Sequence, residues 1–220
     1  MATIEQAKDR YLVKAEKNGT NDGITTDNYR FCLLFNESQN KFLTLQLQQR
    51  GIDDVRYIQN FLVLDEKIPY SSKSENKYNF KLPENYFDIA DVRANAQKEN
   101  CIDILNLFEL RTENINEVLQ DEFQKPSFEW RESLFTVNSD QLSIYTDSIF
   151  KVNDILLNYY RYPNQIQLLD EENPESKFNE QIPIEWDDKS LDDIITLMVF
   201  NLDINENNPR YQIQPARIQK

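Results

Sequence analysis

Ile102-Asp103-Ile104-Leu105-Asn106-Leu107-Phe108-Glu109-Leu110 is the stretch on which the fold turns. At both of its ends, Ile102-Asp-Ile104 and Phe108-Glu-Leu110, apolar and polar residues alternate with the period of two that a β-strand requires. Outward from it the same signal recurs. Upstream it marks Leu62-Val63-Leu64 and Tyr78-Asn-Phe80-Lys-Leu82, and downstream it marks Phe128 to Val137, Leu142 to Tyr145 and Ile155 to Tyr162. Pro, Ser and Asn clusters separate these runs, and Asn138-Ser139-Asp140 supplies a hairpin turn. One helix interrupts them, a short capped segment from Thr112 to Leu119 that closes before Pro126.

Helical patterns flank this β-rich region. Ile4, Ala7, Tyr11, Leu12 and Ala15 recur at helical spacing between Thr3, a capping residue, and Asn18-Gly19, a left-handed stop. A second helix is expected from Thr26 to about Arg50, with Tyr29 to Phe35 apolar almost all round the wheel. Such a helix must be covered on every side, by its own fold or by another subunit. The same segment, rich in aromatics, also reads as a strand. After an acidic loop, Asp170-Glu-Glu-Asn-Pro-Glu, and the segment Ile182-Pro-Ile184-Glu-Trp186, Ser190 caps a final helix carrying Ile194, Ile195, Leu197, Met198 and Leu202. Residues 205–220 read as an extended arm, broken by Pro209 and Pro215.

The fold class is therefore α+β: N-terminal helices (1–61), a central antiparallel β-rich region with one short helix (62–165), an acidic loop and closing helix (166–204), and the arm (205–220). The pattern suggests one compact domain plus the arm. At 220 residues and 40% apolar content the chain can bury a real core. The 24 asparagines against three glycines suggest that Asn serves as the left-handed turn residue.

Composition removes whole classes of chemistry. Without a histidine there is no Ser-His-Asp or Cys-His nucleophile, no His-ligated zinc and no ordinary neutral-pH base. With only Gly19, Gly23 and Gly51, residues 52–220 hold no phosphate-binding glycine loop. A net charge of −14 argues against binding nucleic acid or anionic membranes. Cys32 and Cys101 sit in apolar runs without metal-ligand spacing and read as core residues of a reducing compartment. With neither a basic leader nor a long apolar run, the chain reads as soluble and intracellular.

Three constellations invite a catalytic or binding reading. Glu129-Trp130-Arg131-Glu132 offers two carboxylates beside an indole, as a glycosidase would, but on a strand the two carboxylates point to opposite faces. Asp187, Asp188, Asp192 and Asp193 lack the glycine of a calcium loop and fit the start of a helix. Tyr159-Tyr160-Arg161-Tyr162-Pro163 would suggest base stacking on a basic protein. Here it reads as tyrosines packing in the core and at an interface, with Arg161 pairing an acid. No catalytic, cofactor or metal residue is assigned.

These residues carry a resemblance. Leu157-Asn-Tyr159-Tyr160-Arg161-Tyr162-Pro163, then Ile182-Pro183-Ile184, then Asp192-Asp193-Ile194-Ile195-Thr-Leu197 resemble the head-to-tail adaptor proteins of short-tailed bacteriophages. That group includes the tail tubular protein A type and the neck ring proteins of crAss-like phages. Lys81-Leu82-Pro83-Glu-Asn-Tyr86 is similar to the family's strand-Pro-turn, and the N-terminal helices also fit. The low glycine content and the acidic loop are departures. The resemblance implies a structural virion protein, a homo-oligomeric and dodecameric ring in the neck. Its partners would be the portal protein and the tail or next neck ring, with duplex DNA passing through and not specifically bound. A negative lumen suits such a conduit, since like charges repel over a Debye length of about 8 Å at physiological salt.

The arm completes this reading. It bears Arg210, Arg217 and Lys220 with no acid after Glu206, and Tyr211-Gln-Ile213 alternates as an edge-pairing strand does. The expected interaction residues are Tyr159, Tyr160, Arg161, Arg210, Tyr211, Ile213 and Arg217. A different class of function, an acidic interaction module that inhibits a basic protein by imitating DNA, fits the same composition.

Overall fold

A computed structural model of the chain describes residues 2–17, 27–48, 54–168 and 182–205. The acidic loop and the arm, with Arg210, Tyr211, Ile213 and Arg217, lie outside the described residues. The fold is α+β, with four α-helices and one mixed sheet of eight strands among the described residues. The chain divides into two compact units, one from Met1–Asn60 with Pro163–Lys220 and one from Phe61–Tyr162. The two helical ends, far apart in sequence, thus build a single unit, where the sequence suggested one domain for the whole.

The helical unit contains α1 (Ile4–Lys17), α2 (Asn28–Gln48) and α4 (Asp188–Asn205), with α1 and α2 both packed on α4. Thr3 caps α1 as expected. Its Oγ1 accepts from the Gln6 amide at 3.2 Å while its own amide donates to Gln6 Oε1 at 3.1 Å, a reciprocal capping box. The caps of the other two helices differ from expectation. Asp27 caps α2 by accepting from the Arg30 amide at 2.6 Å, and Asp187 caps α4 by accepting from the Ser190 amide at 2.7 Å. Carboxylates at both N-termini also meet the helix dipole.

Of the two kinds of cover expected for α2, its own fold supplies only part. Phe31, Phe35, Phe42 and Leu43 are buried, but Tyr29 and Leu33 are 57% and 51% exposed. Two of the buried positions on α2 are polar, Ser38 and Gln39. Gln39 anchors a network: its Oε1 accepts from Trp186 Nε1 at 3.0 Å, and its Nε2 donates to the Asn164 carbonyl at 3.0 Å. Asn36 adds a two-way link to Ile166, donating to its carbonyl at 3.2 Å and accepting from its amide at 2.8 Å. Residues 164–166 and Trp186 are thereby tied to one helix by satisfied buried polar groups.

The second unit is the sheet, in the order β1-β8-β4-β5-β6-β7-β3-β2. Its strands are β1 (Leu62–Pro69), β2 (Ser72–Ser74), β3 (Lys77–Lys81), β4 (Tyr86–Lys98), β5 (Cys101–Glu109), β6 (Glu132–Asn138), β7 (Gln141–Tyr145) and β8 (Lys151–Arg161). Every pairing is antiparallel except β5 with β6, so the expected antiparallel region is in fact mixed. The cause is the long connection between them, which contains α3 (Ile115–Gln120) and is long enough to return the chain in the same direction. The inner faces share one core that runs from Ile68 of β1 through Leu105 and Leu107 of β5 to Phe80 of β3. The sheet curls round this core until β1 approaches β3.

Two local expectations are corrected here. Among the described residues the left-handed positions outside glycine are Asp65, Glu99, Arg131, Ser139 and Ser148, none of them an asparagine, although Asn100 and Asn138 stand beside two of them. The strand expected from Phe128 begins only at Glu132, because residues 127–131 form a turn.

Candidate interaction site

Strand β5 is apolar on both faces. Leu105 and Leu107 point into the core at 0% and 8% exposure, whereas Ile102, Ile104 and Phe108 on the opposite face are 70%, 45% and 52% exposed. Phe108 lies beside Leu134 in the parallel β5–β6 register. The connection that follows adds Phe123 and Trp130, 97% and 78% exposed.

Both aromatics are held out by ordered backbone. Asp121 closes the turn under Phe123: its Oδ1 accepts the Phe123 amide at 2.9 Å, and its carbonyl accepts those of Gln124 and Lys125 at 3.2 and 3.0 Å. Ser127 and Glu132 exchange amide-to-carbonyl bonds at 2.9 and 3.1 Å, which closes the turn carrying Trp130. Within it Arg131 takes φ = 57°, a left-handed conformation uncommon for a side chain of this size. Its guanidinium pairs with Asp103 at 2.8 Å and its carbonyl accepts from the Asn106 amide at 2.8 Å, so the turn is fastened to β5.

Two adjoining hollows, of about 300 and 340 Å³, open between these elements. They share Phe123, Lys125 and Glu132; the first also touches Phe108, Glu109 and Pro126, the second Glu122 and Trp130. The groove is thus aromatic in body, with Glu109, Glu122 and Glu132 against a single lining cation, Lys125.

The expected interaction residues of β8 are placed differently. β8 is flanked by β1 and β4, so Tyr159 faces the core at 2% exposure and Tyr160, on the other face, is 7% exposed. Tyr159 thus takes the core place that the alternating reading gives to one of the tyrosines. The Tyr159 hydroxyl lies 2.8 Å from Glu66 Oε2 and 3.0 Å from Asn85 Oδ1, joining β1 and the turn before β4 to β8. Burial, and next the Glu66 carboxylate, push its phenol up to about 12. Arg161 stands 5.3 Å above the Phe61 ring and donates to the Tyr162 carbonyl at 3.1 Å.

The carboxylate constellations resolve into structural roles. Glu129 sits in the turn, hydrogen-bonded to Lys98, whose ammonium holds its carboxyl below the usual range. Glu132 opens β6. At the start of α4, Asp188 pairs with Arg10 at 3.4 Å and Asp192 with Lys14 at 2.7 Å, while burial, and next Asp192, raise the Asp193 carboxyl. Among the described residues no three Cys, Asp or Glu side chains are grouped to hold a metal ion. Cys32 is buried, as expected; Cys101 is exposed, because it follows the β4–β5 turn at the tip of the hairpin. No described helix is long and apolar enough to cross a membrane.

The sequence reading missed the groove. Phe123 carried a usable signal, as a lone large aromatic within a polar connection, whereas Trp130 reads as part of the alternating run that begins at Phe128. Compared with known proteins, the chain matches no family model and no curated protein.

Proposed function

We propose that this chain is a structural virion protein: a head-to-tail connector subunit that forms a homo-oligomeric ring round the DNA channel between portal and tail. It performs no catalysis. The observation that supports this best is the uncovered apolar surface of β5 and the connection after it, with Phe123 and Trp130 almost fully in solvent. Contiguous apolar surface of this kind marks protein–protein contact. The net charge of −14 suits a lumen through which duplex DNA passes without adhering. Ring closure requires a heterologous contact, in which one face of a subunit meets a different face of the next. The portal protein lies on one side of the ring, the tail or the next neck ring on the other, and the dodecameric count comes from the resemblance alone.

Light scattering on the purified protein, alone and with its portal, tests this. A closed ring above dimer size, formed alone or on the portal, is the expected result. A monomer or two-fold dimer that ignores the portal and captures a basic protein would replace this reading with the acidic inhibitor.

A further inference from the structure

The groove beneath Phe123 and Trp130 has a chemical complement in the same sequence. Between Asp103 and Leu134 the chain carries eight acidic against three basic side chains. From Asn207 to Lys220 it carries Arg210, Arg217 and Lys220 and no acid at all. The groove is walled by aromatic rings and by Pro126, the surface that extended, proline-bearing segments dock on. Residues 206–220 contain Pro209 and Pro215, and between them Tyr211 and Ile213. In an extended docked segment these two side chains face one side, about 7 Å apart, and the groove offers two adjoining hollows.

We propose that the Phe123–Trp130 groove holds residues 206–220 of a second copy of this chain. Tyr211 and Ile213 enter the two hollows, and Arg210 and Arg217 pair with Glu109, Glu122 and Glu132. That the occupant comes from a second copy rests on the ring reading above; the groove and its chemistry do not. A basic segment delivered to an acidic groove on the next subunit is a heterologous contact, the kind that closes a ring.

The test uses the full chain with Tyr211→p-benzoylphenylalanine, prepared as a mixture of ¹⁵N-labelled and unlabelled copies with and without portal, irradiated and mapped by mass spectrometry. Cross-links to residues 108–134 that join labelled to unlabelled chains are expected. They should fall at least tenfold in Phe123→Ala/Trp130→Ala and in Glu122→Lys/Glu132→Lys. These changes fall on side chains outside the core, so loss of signal will not reflect unfolding, and unchanged thermal melts verify this. Cross-links that map elsewhere, that stay within one chain, that survive both variants, or that fail to form overturn the proposal. Light scattering of the same samples separates the two readings. Groove cross-links in a two-fold dimer keep the groove and remove the ring, whereas a ring cross-linked elsewhere keeps the ring and removes the groove.

Discussion

The two tryptophans stand in opposite surroundings. Trp186 is 1% exposed, edge-on to Phe42 at 5.4 Å, with its indole N–H donated to Gln39; Trp130 is 78% exposed on a hydrogen-bonded turn. The helical unit has used its largest side chain to close a core. The sheet unit displays its own to solvent on backbone that has little freedom to withdraw it. The difference teaches where stability and recognition reside: burial with a satisfied polar atom makes a core, and rigid exposure makes an anchor for a partner.

The largest effect is expected from exchanging each tryptophan for alanine. Trp186→Ala should destabilise by about 3–5 kcal/mol and leave Gln39 without its donor. Trp130→Ala should change stability by less than about 0.5 kcal/mol. Urea denaturation of both variants measures the contrast, and equal losses would break it. Within β5 the same contrast is drawn on one strand: Leu105→Ala should cost about 2–5 kcal/mol, and Ile104→Ala, on the outer row, well under half of that.

A smaller effect concerns buried Tyr159. Folding raises the Tyr159 phenol from 10.0 to about 12, and that of Tyr86 likewise, both mainly through burial. The folded protein therefore keeps protons that the unfolded chain releases near pH 10. The stabilisation is complete below pH 10 and is lost as pH rises towards 12. Tyr159→Phe should make the alkaline fall in melting temperature shallower. The smallest effect concerns Leu33, half exposed on α2. Leu33→Asp should cost less than about 1 kcal/mol, as a surface change does. A loss of several kcal/mol would show that this face of α2 is covered in the working protein.

Much of this architecture was legible where periodicity was strong. The N-terminal cap and apolar spacing of α1, the alternation of β3 and β7, and the turn at Ser139-Asp140 all follow from local chemistry. The longest strand, β4, was not read at all. Its inward row is Val92, Ala94 and Ala96, two of them weak strand formers, and its pairing with β8 shifts register three times, which destroys a period of two. The parallel pairing of β5 and β6 was equally invisible, since register between distant strands depends on the whole sheet. The candidate site was hidden for a related reason. Ile102, Ile104 and Phe108 are the apolar residues of the alternation, the row that ordinarily faces a core, and only the fold reveals that their side of β5 lies open.

Whether the exposed aromatic surface joins subunits is decided by sedimentation velocity of the Phe123→Ala/Trp130→Ala variant against the parent chain, each with portal. The expected result is an unchanged melting temperature together with loss of the assembled species, the variant sedimenting as a single subunit. A variant that assembles as the parent does would contradict it, because the exposed aromatic surface would then have no part in joining subunits.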